Sequence, residues 1–205
     1  MRELRLIPPQ VALFGYGSLL SKASMELTLG CEYAGSPVEC SIRGWRRTWD
    51  VMMPNRTFYE DGQSGELVPA HIIYLNVQKD PHSALNGLAY VLGPKEIAMF
   101  DKREWIYNRE TITKDVTDLS FIGGELEMYV GKPEFLVPPG CTTEQAAVRR
   151  SYIEIVERGL SELGHAFRSE YLSSTDPPPQ HLIIDDKKRA GIPGLAGSRE
   201  SELSK

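Results

Sequence analysis

The chain has 205 residues with a formal net charge of -5, and its residues are 41% hydrophobic and 25% charged. This is the composition of an ordinary globular protein with one sizeable core. It has no excess of basic residues to neutralise phosphates, so we do not expect a nucleic-acid partner.

Residues 1–9 lack the apolar core of a signal peptide, and no apolar run approaches the roughly 20 residues that are needed to span a bilayer. We therefore expect a cytoplasmic protein without a membrane partner.

Short β-rich segments recur along the chain and are separated by clusters of Gly, Pro, Asn or Asp. They are residues 11–15, 38–42, 45–52, 70–77, 87–92, 109–113 and 125–130. Residues 71–75 do not alternate between apolar and polar, which is typical of a strand that is covered on both faces. This predicts helices packed outside a curved sheet.

Two helical regions follow. The first is predicted to begin at Pro94, because proline suits a first helical turn. In it Ile97, Phe100 and Glu104 recur at spacings of three and four, so an acid shares the apolar face. The second is predicted to begin near Thr142, which with Gln145 resembles a capping box, and to end at Gly164. A short helix is predicted over 165–172.

The composition changes at residue 176, where three prolines precede a polar end. We expect one domain over 1–175 and an extended or disordered tail over 176–205, because the tail offers little apolar surface to offset its ordering entropy. Residues 182–184 are an exception that could dock on the domain. Residues 59–65 are predicted to form a surface loop.

The three cysteines, Cys31, Cys40 and Cys141, are odd in number and form no C-x-x-C pair, so neither a disulfide framework nor a zinc site is predicted. One of them could still be the thiol of a hydrolase, a hypothesis that predicts inactivation by thiol alkylation; a buried, inert cysteine is the commoner outcome. The four histidines show no metal-binding spacing, and no metal is expected.

Glu104 is the first candidate for chemistry. A carboxylate on the buried face of a helix is either paired with a cation or desolvated, and desolvation raises its pKa towards the range that suits a general base. The structural alternative is an ion pair with Arg103, Arg109 or Arg46, and the sequence leaves both interpretations open.

The second candidate is the turn over residues 16–19, which follows the strand predicted over 11–15. A turn rich in glycine can direct several backbone N–H groups into one concavity that binds a carboxylate or an oxyanion. Most such sequences are tight turns without a ligand. This one lacks the third glycine of a dinucleotide motif and the Gly-Lys-Ser/Thr of a phosphate loop, so nucleotide binding is not expected.

Four motifs occur in a specific order. They are Phe14-Gly15-Tyr16-Gly17-Ser18-Leu19, Arg43-Gly44-Trp45-Arg46-Arg47, the strand motif at 86–92, and Phe100-Asp101-Lys102-Arg103-Glu104 with Tyr107 and Arg109. Over residues 11–175 the ordered set resembles the gamma-glutamylcyclotransferase-like superfamily. Glutathione-specific members continue the loop with Ile-Trp, whereas Leu20 and Ser21 follow here, which argues against that specificity.

The resemblance implies an α+β fold, a small mixed β-barrel with helices packed outside. It implies conversion of a γ-glutamyl peptide or amine to 5-oxoproline without a cofactor, with a small-molecule substrate as the partner. Glu104 is then the catalytic acid and base, and the substrate-binding residues are Tyr16, Gly17, Ser18, Leu19, Tyr107 and Tyr129. The alternative is a ligand-binding or regulatory module on the same fold without catalysis.

Overall fold

The computed structural model describes residues 2–57, 59–63 and 67–188. The strands are β1 (Arg2–Arg5), β2 (Val11–Gly15), β3 (Val38–Pro54), β4 (Tyr59–Asp61), β5 (His71–Leu92), β6 (Tyr107–Thr111), β7 (Leu119–Ile122), β8 (Leu126–Gly131), β9 (Ala146–Arg149), β10 (Ile183–Ile184) and β11 (Asp186–Lys188). The helices are α1 (Lys22–Leu29), α2 (Pro94–Arg103), α3 (Arg150–Leu163) and α4 (His165–Ser173).

The central sheet has seven strands and is mixed. Six of them follow the order β10-β9-β5-β2-β8-β6, and β3 also pairs with β5. Strand β2 lies antiparallel to β5, with Leu13 opposite Tyr90, and parallel to β8, with Leu13 opposite Glu127. Its side chains are therefore central to the core, where Ala12, Leu13 and Phe14 are buried.

Strands β3 and β5 form one long antiparallel pair. The sequence predicted four shorter strands here, because polar residues separate the apolar segments. Register shifts interrupt the pairing between Arg43 and Trp45 and between Thr48 and Val51, and the two strands continue on either side of both. Polar residues that separate the predicted segments, such as Gln78, Lys79 and Asn86, are still paired strand residues, which is why local composition divided the two strands wrongly.

The sheet curls until β6 and β8 meet the first half of β5. The Tyr107 hydroxyl of β6 donates a hydrogen bond to the carbonyl oxygen of Leu75 at 2.9 Å. The amide of Gly131, at the end of β8, donates to Asn76 Oδ1 at 2.8 Å. These contacts close the wall of a partly open barrel, and the concave side of that wall holds the cavity described below.

Helix α2 begins at Pro94, as the sequence predicted, and the Gly93 amide donates to Glu96 Oε2 at 2.7 Å. Ile97 and Phe100 are buried against the core, which confirms the apolar face of this helix. The burial anchors its C-terminal end, where Glu104 follows.

The predicted beginning of the next helix was wrong. The Thr142 amide does donate to Gln145 Oε1 at 2.9 Å, but this bond closes a turn that leads into β9. Helix α3 begins eight residues later, at Arg150. The reason is tertiary: Ala146, Ala147 and Val148 of β9 are fully buried beside the start of β5, in parallel pairing that no local pattern reveals. The predicted break at Gly164 and the short helix after it, α4, are confirmed.

Part of the predicted tail packs on the domain. Leu182 and Ile184 are buried, β10 lies parallel to β9, and β11 pairs with β4, a strand inside the predicted surface loop. Asp186 accepts hydrogen bonds from the Ser151 amide at 2.9 Å and the Ser151 hydroxyl at 2.6 Å, and so it caps the start of α3. The boundary at residue 176 stays a prediction, and tail residues 189–205 and loop residues 64–65 lie outside the described residues.

No helix in the described part of the chain is long and apolar enough to cross a bilayer.

Candidate active site

A single cavity gathers the candidates that the sequence pointed to. Its empty space, including the open mouth, is about 320 Å³. Ten of the described residues line it: Phe14, Tyr16, Gly17, Ser18, Leu19, Leu75, Glu104, Tyr107, Tyr129 and Tyr152. All seven predicted site residues are among them.

The turn at the end of β2 is one 3-10 turn over Ser18–Leu20. Its internal hydrogen bonds are donated by the amides of Leu20, to the Gly17 carbonyl at 3.0 Å, and of Ser21, to the Ser18 carbonyl at 3.1 Å. The N–H groups of Ser18 and Leu19 precede these bonds, so the turn does not use them. They are available to an anion beside the cavity.

Position 17 needs a glycine for a steric reason. A Cβ atom at this position would lie 3.2 Å from the Tyr152 hydroxyl oxygen and 3.6 Å from Leu75 Cβ. A larger residue would therefore fill the space between the turn and the opposite wall. The motif glycine keeps this part of the cavity open.

Tyr16 and Leu19 hold the turn in place. The buried Tyr16 hydroxyl donates to the carbonyl oxygen of Tyr129 at 2.8 Å, which ties the turn to β8. The Tyr90 hydroxyl of β5 donates to the carbonyl oxygen of Leu19 at 2.6 Å. The turn is thus fixed at both ends, and its free amide groups are preorganised.

Glu104 directly follows the last residue of α2. Its amide donates to the Phe100 carbonyl at 2.8 Å, and its own carbonyl accepts the Tyr107 amide at 2.8 Å. The Glu104 side chain is only 17% exposed. Burial raises the pKa of the Glu104 carboxyl, and the neighbouring Arg103 guanidinium partly opposes the rise. A carboxylate poised in this way can accept and return a proton.

Arg103 connects Glu104 to the turn. Its Nε lies 3.1 Å from Glu104 Oε1, and its Nη2 donates to the Ser18 hydroxyl at 2.8 Å. The two hypotheses for Glu104 are therefore compatible, because the acid both forms an ion pair and lines the cavity. The other suggested partners are engaged elsewhere: Arg109 pairs with Asp101 and Glu127, and Arg46 pairs with Asp176.

Tyrosines form the rest of the polar wall. The Tyr107 hydroxyl bonds to Leu75, as described, and the Tyr129 hydroxyl donates to Asp101 Oδ1 at 2.8 Å. Desolvation raises the pKa of Tyr107 and of Tyr129, and the negative charge of Glu104 adds to both shifts. Both phenols therefore stay neutral, and Glu104 is the only acidic residue among the described residues that line the cavity.

Sequence reasoning missed three lining residues, Phe14, Leu75 and Tyr152. Tyr152 lies on α3, within the region that the sequence predicted to be helical, but its ring also packs edge-on against Tyr74 at 4.9 Å and closes the cavity. Helical periodicity cannot distinguish a core tyrosine from one that borders a cavity. Only the crossing of α3 over the turn assigns Tyr152 to the site.

The three cysteines do not line the cavity. Cys40 is buried, and desolvation raises the pKa of its thiol to about 12. Desolvation also raises the pKa of Cys141. A nucleophilic cysteine needs a depressed pKa and an accessible thiolate, so the geometry does not favour a cysteine hydrolase at either residue.

The chain matches solved structures with the gamma-glutamylcyclotransferase-like fold. A structure described as gamma-glutamyl cyclotransferase matches with a TM-score of 0.53 and 11% identity, over 95% of this chain and 98% of the other. An uncharacterised protein from Homo sapiens matches with 0.56 and 14%, over 96% and 99%. YkqA from Bacillus subtilis matches with 0.52 and 18%, over 82% of this chain and 56% of that one.

At the level of sequence, no family model matches the chain, and no curated protein is significantly similar. The structural matches confirm the predicted α+β fold of the gamma-glutamylcyclotransferase-like type. At identities of 11–18% they establish the fold and leave the activity to be argued from the site.

Proposed function

We propose that the protein is a gamma-glutamylcyclotransferase-type enzyme that converts a γ-glutamyl peptide or γ-glutamyl amine to 5-oxoproline and a free amine. One observation carries the proposal: a buried carboxylate with a raised pKa, Glu104, shares one small cavity with a preorganised turn whose Ser18 and Leu19 amides are unused. The fold supports it, because a gamma-glutamyl cyclotransferase has the same architecture.

The turn binds the anionic part of the substrate or of the transition state. The amides of Ser18 and Leu19 can donate to the α-carboxylate of the γ-glutamyl group or to the oxyanion that develops on its γ-carbonyl. Loss of one donor to an oxyanion typically costs about 3 to 4 kcal/mol of transition-state stabilisation. The tyrosine wall excludes water and holds the substrate folded in a near-attack conformation.

Glu104 moves the proton. The α-amine of the substrate attacks its own γ-carbonyl carbon, so a new C–N bond closes the five-membered ring while the original amide C–N bond breaks. The α-ammonium nitrogen loses one proton before attack and a second one after the new C–N bond has formed, and the departing nitrogen gains both and leaves as an ammonium. The Glu104 carboxylate accepts each proton in turn and returns it to the leaving nitrogen, so no net proton is consumed and no co-reactant is needed.

The test is a substrate panel with product detection. The purified protein is incubated with γ-glutamyl dipeptides, γ-glutamyl amines and glutathione, and 5-oxoproline is measured by mass spectrometry. We expect 5-oxoproline from at least one member of the panel, together with the free amine in equal amount. Binding of panel members without 5-oxoproline would instead assign the cavity to a ligand-binding module.

The pH dependence of turnover gives a second test. The reaction needs ionised Glu104, so kcat/KM should rise as the pH rises through the pKa of Glu104 and should fall below it. Because burial raises this pKa, the acid limb should lie above the ordinary glutamate value of about 4.3. Arg103 lowers the pKa of Glu104, so Arg103→Gln should move the limb to higher pH whatever it does to the maximal rate. If Arg103→Gln leaves the acid limb of the kcat/KM profile at the same pH, the limb reports the titration of a group other than Glu104.

A further inference from the structure

Arg47 is a buried arginine behind the turn. It lies on β3, its surface is 0% exposed, and its guanidinium touches no carboxylate among the described residues. Desolvation lowers its pKa to about 10, so it remains charged at neutral pH. A buried charge without an acidic partner is costly and needs several hydrogen bonds to be tolerated.

Those hydrogen bonds go mainly to backbone carbonyls and hydroxyls. Arg47 Nε donates to the Tyr16 carbonyl oxygen at 3.1 Å, and Nη2 donates to the carbonyl oxygen of Asn86. Nη1 donates to the hydroxyls of Ser174 at 2.8 Å and Thr175 at 3.3 Å. The guanidinium also lies 3.9 Å from the centre of the Tyr171 ring.

The bond to Tyr16 has a geometric consequence. The Tyr16 carbonyl and the Gly17 N–H belong to the same planar trans peptide group, so the two point in opposite directions. Arg47 donates a hydrogen bond to the carbonyl oxygen on one side of this peptide group, and Gly17 lines the cavity on the other side. A charged donor on the carbonyl also polarises the peptide, which makes its N–H a stronger hydrogen-bond donor.

We infer that Arg47 is a positioning residue: by gripping the Tyr16 carbonyl it orients and polarises the Gly17 N–H as a third donor to the anionic group of the substrate, beside the amides of Ser18 and Leu19. Its positive charge further favours an anion in the cavity. This inference rests on the proposed function and assigns a role to a residue that does not itself touch the substrate.

A single NMR signal can report this peptide group directly. The dipeptide Tyr-Gly occurs once in the sequence, at Tyr16-Gly17. Protein with ¹³C-carbonyl tyrosine and ¹⁵N-glycine therefore gives one cross-peak that contains the Tyr16 carbonyl carbon and the Gly17 amide. We expect 5-oxoproline, the product, to move the Gly17 amide proton downfield in the wild-type protein, and Arg47→Lys to reduce that shift.

Kinetic measurements give the second test of the role of Arg47. Misplacement of a donor typically costs on the order of 10²-fold, so we expect a loss of that order in kcat/KM for Arg47→Met and a smaller loss for Arg47→Lys, which keeps a charged donor. If the turn binds the α-carboxylate, Arg47→Met should raise KM. If the turn binds the oxyanion, Arg47→Met should lower kcat. The matched control is Arg46→Met, which removes a neighbouring arginine that is paired with Asp176; its kcat/KM should match the wild type.

The outcomes separate this inference from the proposed function. Two results would overturn the role of Arg47 and leave the proposed function in place. The first is that the wild-type protein turns over substrate but its Gly17 signal does not move when 5-oxoproline is added. The second is that a folded Arg47→Met protein has an unchanged kcat/KM. No 5-oxoproline from any substrate overturns the function itself. If Arg47→Met does not fold, the wild-type Gly17 signal and Arg47→Lys decide the question.

Discussion

Glu104→Gln should lower the rate of 5-oxoproline formation by about 10²- to 10⁴-fold, the range for removal of a positioned general acid or base. Glutamine keeps the shape of the side chain but cannot accept and return the proton. We expect the fold to survive, because burial already disfavours the charged form of Glu104. Arg103 also keeps its hydrogen bonds to Ser18 and to the Thr28 hydroxyl, the latter at 2.5 Å.

The control for this prediction is Glu110→Gln, which removes a carboxylate from an exposed position on β6. Its kcat/KM and melting temperature should match those of the wild type. Rates are measured by release of 5-oxoproline, and folding is checked by circular dichroism and thermal unfolding. Full turnover by folded Glu104→Gln protein would remove Glu104 from the mechanism and with it the proposed proton path.

Glu104 and the turn could be predicted from the sequence because each has a local signature. The acid follows Ile97 and Phe100 at helical spacing, and the glycines directly follow an apolar strand. The structure brings both into one cavity, and Arg103 connects them. Arg103 itself was foreseen only as an ion-pair partner, since its reach to Ser18 depends on how α2 packs beside the turn.

The sequence contains a sign that Arg47 is buried, but the number of arginines in its segment obscures that sign. In β3 the side chains of Trp45 and Arg47 are both buried, two residues apart, as alternation in a strand requires. A charged residue in register with a buried tryptophan indicates an arginine in the core. The segment has arginines at 43, 46 and 47, however, and this density is more typical of a solvated face. Only the partners of the guanidinium distinguish the two.

The error at residue 142 has a different cause. The Thr142 amide donates to the Gln145 side chain, which is one of the two hydrogen bonds of a capping box, and the alanines that follow favour a helix. Long-range pairing with β5 overrides this local preference, because residues 146–148 gain complete burial beside residues 71–73. The same pairing determines where α3 begins and therefore where Tyr152 meets the cavity. Sequence patterns thus predicted the residues that line the candidate site better than the packing that surrounds them.

Phe100→Ala should produce the largest loss of stability, about 3 to 5 kcal/mol in the free energy of unfolding. The Phe100 side chain is 0% exposed and fills the core under α2, so its removal leaves a cavity that the surrounding sheet cannot close. The adjacent Met99, 37% exposed on the same helix, is the matched control, and Met99→Ala should change the free energy by about 0.5 kcal/mol or less.

Urea unfolding of the two variants and the wild type measures the difference, with equal m-values required for the comparison. The consequence extends to the site, because the Phe100 carbonyl accepts the Glu104 amide at 2.8 Å and the Phe100 ring anchors the end of α2. Phe100→Leu should therefore lose less stability than Phe100→Ala and should keep the acid in place. Equal stabilities for Phe100→Ala and Met99→Ala would show that the buried ring does not anchor the helix that presents Glu104 to the cavity.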